Sequence, residues 1–76
     1  MNLVEKFGED DFLERTWELP PALTPPLRDL VDVSDDGWIM DEWAVTDEIA
    51  AIVQPYLDEP IDVESGRWCV SSEQRP

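Results

Sequence analysis

Apolar residues recur at the spacing of one helical face between residues 47 and 58, which is the clearest pattern in the chain. The positions are Ile49, Ile52, Val53, Tyr56 and Leu57. Thr46 is a favourable N-cap, and Asp47 and Glu48 place negative charge at the positive end of the helix dipole. Pro55 cannot donate a backbone hydrogen bond, so the pattern predicts one helix over residues 47–58 that bends or tightens at Pro55.

The next segment, PIDVESGRWCVSS, alternates apolar and polar residues on both sides of Ser65 and Gly66. This pattern predicts a β-hairpin, because glycine supplies the positive φ that a short turn needs. In that register one face of the hairpin is apolar, and the preceding helix is the nearest element to cover it. The apolar positions are Ile61, Val63, Trp68 and Val70.

Three weaker patterns lie upstream. Thr24 and Pro25 are typical of a helix start and predict a short helix over residues 25–32. The stretch GWIMDEWAV, residues 37–45, is rich in β-forming residues and predicts a strand that pairs with the hairpin. Residues 9–19 fit both a helical and an alternating pattern, and we favour the helix. Their apolar positions are Phe12, Leu13, Trp17 and Leu19.

Together these elements predict the α+β class. We expect one small acidic domain over residues 1–76, with two or three helices packed on a short antiparallel sheet that ends in a C-terminal β-hairpin. The sheet has at most three strands, and residues 71–76 form a flexible C-terminal tail. The element order is similar to that of a winged helix. Size scaling predicts a radius of gyration of roughly 11 Å.

Large aromatic side chains give this short chain its means of building a core. The chain has four tryptophans, and each large ring buries on the order of 150 to 250 Å². The single cysteine cannot form an internal disulfide, and neither a signal peptide nor a long apolar run is present. These features predict a cytoplasmic protein that is not inserted in a membrane.

The net charge of −14 is spread along the chain and is not held in an acidic tail. Six acidic residues fall in each of the segments 1–19, 20–46 and 47–64, and one falls in residues 65–76. Because these acids alternate with apolar residues, the charge must lie on the surface of the folded body. The four tryptophans and the amphipathic periodicity argue against a disordered chain.

Residues 32–43 partly match a calcium-binding EF-hand loop. Asp32, Ser34, Asp36 and Gly37 stand at its first, third, fifth and sixth positions. The twelfth position, which supplies two calcium ligands in that loop, is Trp43, and the nearest acid lies one position early. A weak calcium site stays an alternative, but the pattern favours a turn before a strand.

The sequence offers few groups for catalysis. It contains no histidine, so the usual general base is missing, and ligand sets of the Cys/His type are missing too. Cys69 falls on the polar side of the predicted hairpin, where Arg67 is the nearest base that would lower its pKa. We interpret the adjacent acid pairs as solvated surface and Cys69 as incidental. We expect no enzyme activity, no cofactor and no bound metal.

The charge points to a strongly basic protein as partner, such as a nucleic-acid-binding enzyme or effector complex. Direct binding to nucleic acid or to anionic membranes is opposed by long-range repulsion. Small domains stay soluble with a net charge of about 2 to 8, so the excess suggests a role in binding. Duplex DNA carries one charge per roughly 1.7 Å, so the 14 net charges match about 24 Å of duplex.

In its size, acidity, lack of catalytic residues and cytoplasmic character the chain resembles the phage-encoded DNA mimics, among them anti-restriction and anti-CRISPR proteins. The resemblance implies an inhibitor that binds the basic nucleic-acid-binding groove of a target protein. An immunity protein or antitoxin that neutralises a basic toxin is an alternative, and so is a small acidic adaptor subunit. A single acidic patch around an exposed Trp38 or Trp43 would favour the antidote.

The predicted contact acids lie in three polar stretches off the apolar faces. Cluster 1 is Glu9, Asp10, Asp11 and Glu14; cluster 2 is Asp35, Asp36, Asp41 and Glu42; cluster 3 is Asp58, Glu59, Asp62 and Glu64.

Overall fold

The computed structural model describes residues 1–73 and contains an antiparallel sheet and two α-helices. The strands are β1 (Asn2–Phe7), β2 (Leu13–Leu19), β3 (Trp43–Ala44) and β4 (Trp68–Ser72), and the helices are α1 (Thr24–Arg28) and α2 (Asp47–Val53). Short 3₁₀ turns cover Pro21–Leu23, Gln54–Tyr56 and Val63–Ser65. The α+β class is confirmed. Within the described part of the chain, no helix is long and apolar enough to cross a bilayer.

The sheet has four strands in the order β2-β1-β4-β3, one more than the sequence predicted. β1 is a central strand that pairs with both β2 and β4. It escaped prediction because the adjacent residues Leu3 and Val4 are both buried, which breaks the alternation expected of a half-buried strand. Since the chain begins with a hairpin of β1 and β2, the element order differs from that of a winged helix.

Residues 9–19 do not form the helix that the sequence favoured. Their second half is β2, so the alternating pattern was the correct one. The Gly8 N–H bonds to the carbonyl of Phe12 at 2.9 Å, and this turn folds β2 back onto β1. Trp17 stacks on Trp68 with ring centroids 5.4 Å apart. Pairing with a distant strand and this stacking outweigh the weak local helical pattern.

The helix at residue 47 is confirmed. The Thr46 hydroxyl accepts the N–H of Ile49 at 3.3 Å, as an N-cap does. α2 ends at Val53 and tightens into the 3₁₀ turn Gln54–Tyr56, which holds Pro55. The element ends near Tyr56, because Leu57 is already extended with φ −110° and ψ 148°.

The predicted C-terminal hairpin is half confirmed. Its second arm is β4, but its first arm contains the 3₁₀ turn Val63–Ser65, and β4 pairs with β1 and β3 instead. β1 offers β4 a longer partner, with register pairs from Asn2 with Ser72 to Lys6 with Trp68. Residues 71 and 72, predicted as tail, therefore lie in a strand, and residues 74–76 lie outside the described part.

Two further boundaries differ from prediction. α1 ends at Arg28, and Thr24 lies inside it as the first residue and is not its cap. The predicted strand over residues 37–45 is reduced to β3 and an isolated bridge between Val33 and Ile39. The Gly37 N–H bonds to the Ser34 carbonyl at 2.9 Å, so a tight turn occupies the segment that resembled a calcium loop.

Helices and loops cover one face of the sheet and bury a single hydrophobic cluster. The Cα radius of gyration is 11.6 Å, close to the size expected of one small domain. Among residues 1–73, Asn2 is the polar residue that is buried. The buried members of the cluster are Val4, Leu19, Leu23, Leu27, Val31, Ile39, Val45, Ile49, Val53, Trp68 and Val70.

Candidate protein-binding surface

Cluster 1 lies on the turn between β1 and β2 and on the first residues of β2. All four of its acids are exposed. Glu9 lies 3.8 Å from the Arg67 guanidinium, and Glu14 lies 3.6 Å from the Lys6 ammonium. Half of cluster 1 is therefore partly compensated by bases of the same protein.

Cluster 2 carries no such compensation. Asp35 and Asp36 occupy the turn that ends at Gly37, and Asp41 and Glu42 follow on the way to β3. All four acids are exposed, and within residues 1–73 none of them forms an ion pair. The described residues also contain no group of three or more side chains arranged to hold a metal ion.

Cluster 3 divides into a structural pair and an exposed pair. The Arg15 guanidinium lies 3.0 Å from Asp58 and 3.3 Å from Glu59, and the Trp17 indole N–H donates to Asp58 at 2.9 Å. Lys6 bonds to Glu59. These contacts join the chain after α2 to β1 and β2. Asp58 and Glu59, which the sequence analysis predicted as partner contacts, therefore have partners within the protein and help to hold the fold together. Asp62 and Glu64 are exposed.

The pKa values of this pair follow from the contacts. The hydrogen bond from Trp17 and then that from Arg15 lower the pKa of Asp58 below its usual range. The hydrogen bond from Lys6 lowers the pKa of Glu59, and the same bond raises the pKa of Lys6. Both carboxylates are thus held ionised by partners within the protein, which reduces what they offer to an external cation.

Three of the four bases in residues 1–73 are gathered at one end of the sheet. Lys6 pairs across the strands with Arg15 on one side and Trp68 on the other, and Arg67 precedes Trp68. We call this the basic end. Of the bases in residues 1–73, the remaining one is Arg28, whose guanidinium bonds to the Ser34 carbonyl at 3.3 Å.

The opposite end of the sheet is acidic. There Asn2 pairs with Leu19 and Ser72, and its side chain bonds to the Gly37 carbonyl and the Ile39 N–H, both at 2.9 Å. The turn with cluster 2 acids is thereby fixed at this end. We call it the acidic end; its carboxylates are Glu18, Asp35, Asp36 and Glu73.

An open groove of about 750 Å³ lies at the acidic end. Its apolar lining is Met1, half-buried Trp38 and Met40, and its carboxylates are Glu18, Asp36 and Glu73. Arg28 lines a neighbouring groove that shares Trp38 with it. Glu18 was not predicted as a contact acid, because the interpretation of residues 9–19 as a helix hid the alternation that places it on the sheet.

Cys69 lies on the opposite face of the sheet from the core, beside Glu5 in the register of β1 and β4. Burial raises the pKa of the Cys69 thiol, and Glu42 and Glu5 raise it further. The charged neighbours that shift the pKa of Cys69 are thus acids, and Arg67 is not among them. A thiol with a raised pKa is less nucleophilic at neutral pH.

Comparison with protein-family models, with curated proteins and with solved structures finds no match.

Proposed function

We propose that this protein is a small acidic inhibitor that binds the basic nucleic-acid-binding groove of a target protein, as the phage-encoded DNA mimics do. The proposal places it in the cytoplasm and gives it no catalytic role. One observation carries the proposal: three of the four bases in residues 1–73 lie at the basic end, whereas Asp35 and Asp36 at the acidic end are exposed and form no ion pair with another described residue.

A fixed array of carboxylates gains from binding a cationic groove in two ways. Long-range attraction accelerates the association of the acidic protein with its basic target. Binding also releases counterions, as the binding of nucleic acid to the same groove does. The longest dimension of the protein is 34 Å, which exceeds the roughly 24 Å of duplex that carries an equal charge. The body is therefore long enough to present its charge along such a groove.

The groove at Trp38 favours a second candidate function. A dedicated antidote to a basic toxin needs one acidic patch with an aromatic anchor, since tryptophan is prominent among residues that dominate binding energy. Trp38 is half-buried beside Asp36 and Glu18, so the acidic end has this character too. The two functions share a basic partner and differ in whether nucleic acid competes for it.

The first prediction compares two charge reversals of equal size. We expect Asp35→Lys with Asp36→Lys to abolish retention of the basic partner from a lysate of the organism that encodes the protein. Asp62→Lys with Glu64→Lys is the matched control, because Asp62 shares a groove with Lys6 and Arg67, and we expect it to weaken retention only slightly. Retention is measured by affinity capture and mass spectrometry at low and high salt.

The same capture separates the two functions. Added duplex DNA should release the partner of an inhibitor that occupies a nucleic-acid groove, whereas a toxin bound to its antidote should stay bound in DNA and in high salt. Equal retention of every captured protein by both reversed variants and by the wild type, with native circular dichroism throughout, would refute the electrostatic proposal.

A further inference from the structure

The outer edge of β2 is the long open edge of the sheet. β2 contains seven residues and lies at the end of the strand order, whereas β3 at the other end contains two. Residues 13–16 and Glu18 are exposed. Proteins usually protect such an edge by shortening it or covering it, because its unpaired backbone groups are ready to bind another strand.

The strand register shows which backbone groups point outward. The Phe7 N–H bonds to the Arg67 carbonyl at 2.8 Å, and the Glu73 N–H bonds to the Met1 carbonyl at 2.9 Å. The backbone groups of odd-numbered residues in β1 therefore face β4, and those of even-numbered residues face β2.

It follows that Val4 exchanges backbone hydrogen bonds with its partner Trp17, and that the residues on either side of Trp17 turn their backbone groups away from β1. Those residues are Thr16 and Glu18. Within residues 1–73, no hydrogen bond other than those of the sheet reaches either backbone. Each offers one N–H and one carbonyl to an added strand.

Charge and apolar exposure indicate what kind of strand fits. The side chains of Thr16 and Glu18 lie on the face of the sheet away from the core, where Glu5 stands opposite Thr16. Strand residues placed opposite Thr16 and Glu18 share this acidic face, so lysine or arginine suits those positions. At the start of β2, Phe12 is 73% exposed and Leu13 is 50% exposed, and they offer apolar contact.

A second copy of the same chain is a poor occupant of this edge. Each copy carries a net charge of −14, and strand pairing would bring the two acidic faces side by side.

We propose that the free edge of β2 binds an extended segment of the basic partner by antiparallel strand addition, with lysine or arginine at alternate positions opposite Thr16 and Glu18. The inference rests on the proposed function for the existence of a basic partner. Backbone bonds to the edge would supply affinity, and the alternating cations would select the segment.

The direct test uses a short, end-capped peptide of alternating lysine and valine with the full-length protein. We expect chemical-shift changes centred on the Thr16 and Glu18 amides, and slower hydrogen exchange at both. Changes centred on Trp38, or formation of a protein dimer in sedimentation, would overturn the inference. Absence of binding would overturn it as well.

The matched variants separate the backbone from the side chain. Thr16→Pro removes the outward N–H but keeps the net charge and the bonds to β1, and edge strands tolerate proline at such a position. We expect it to weaken peptide binding by about tenfold. Thr16→Ala keeps the N–H and should bind as the wild type does. Equal binding by the proline and alanine variants would contradict strand addition.

A second measurement stays informative if Thr16→Pro fails to fold. In antiparallel pairing the peptide lysines that stand opposite Thr16 and Glu18 are the ones that hydrogen-bond to β2. Methylation of the backbone nitrogens of the peptide lysines should therefore abolish binding. Methylation of the backbone nitrogens of the peptide valines should leave binding unchanged. Equal loss from both peptides, or loss from the valine peptide alone, would refute the proposed register.

Failure of this inference is distinguishable from failure of the proposed function. Thr16→Pro leaves every carboxylate in place, whereas reversal of Asp35 and Asp36 leaves the β2 edge intact. If the reversed variant loses its target but the peptide ignores the β2 edge, the function stands and the strand-addition site is wrong. If the peptide binds the edge but the reversed variant keeps all its partners, the strand-addition site stands and the proposed function is wrong.

Discussion

Among single residues, Asn2 contributes most clearly to the shape of the acidic end. It is 9% exposed, and its amide satisfies a carbonyl at Gly37 and an N–H at Ile39. Both partners belong to the loop that carries Trp38, so one side chain on β1 positions that loop against the sheet. Glycine is required at position 37, where φ is 88°.

We predict that Asn2→Leu destabilises the protein by about 2–3 kcal/mol, because it leaves two backbone groups of this loop without partners. The free energy of unfolding is measured by urea titration followed by tryptophan fluorescence. Thr16→Ala, at an exposed position, serves as the control and should change stability by less than about 0.5 kcal/mol. A loss no larger than that of the control would show that water satisfies the two groups.

At the scale of elements, the segment after α2 depends on ion pairs for its position. Asp58 and Glu59 join it to Arg15 on β2 and to Lys6 on β1, and the Gln54 amide donates to the Glu59 carbonyl at 2.8 Å. The rings of Trp17 and Trp68 lie beneath these charges, with Arg15 4.3 Å from the Trp17 centroid. β1, β2 and the segment after α2 are thus joined by one network of ion pairs and hydrogen bonds.

This network predicts a pH-dependent loss of stability in the double variant Asp58→Asn with Glu59→Gln. Because the folded pKa of each carboxyl is lowered, the unfolded chain binds more protons as pH falls, and the stabilisation is present above the unfolded pKa of about 4. It is lost as pH falls through the lower folded pKa values. The difference between wild type and variant should therefore be largest at neutral pH and shrink below about pH 4.

The control for that measurement is Asp35→Asn with Asp36→Asn. It also removes two negative charges, but from side chains that form no ion pair with another described residue. Thermal unfolding is followed by circular dichroism across the pH range. The stability difference between the wild type and the Asp58→Asn, Glu59→Gln variant could stay constant with pH or equal the difference seen for the control. Either result would contradict a stabilising role for the network.

At the scale of the whole molecule, the uneven distribution of charge has a cost. A net charge of −14 on a body of 34 × 28 × 19 Å repels itself, and the ion pairs of the described residues that offset this repulsion lie at the basic end. Salt should screen this repulsion, since the Debye length falls from about 30 Å at 0.01 M to about 3 Å at 1 M salt.

We therefore predict that the unfolding temperature rises with sodium chloride concentration. A gain of about 1 kcal/mol would raise it by about 4–8 °C in a domain of this size. Thermal scans at several salt concentrations measure the effect, and a chloride-free salt checks that ionic strength is responsible. A fall in unfolding temperature would show that the exposed ion pairs outweigh the repulsion.

Local patterns in the sequence predicted the features whose cause is local. Thr46 caps α2 because its hydroxyl reaches an N–H three residues away, and Pro55 tightens the chain where its own ring forbids the α-helical bond. The turn at Gly37 likewise follows from neighbouring residues. The acidic surface follows from composition, since that many carboxylates cannot be buried.

Only the tertiary structure decided the partners of β4 and the division of the acids into compensated and uncompensated groups. Lys6 and Glu59 are separated by 53 positions, and no periodicity in the chain connects them. Strand pairing is a choice among distant segments with similar local propensities, and burial of the whole sheet decides between them. That choice brings Lys6, Arg15 and Arg67 together at one end of the sheet and leaves the edge of β2 open at its side.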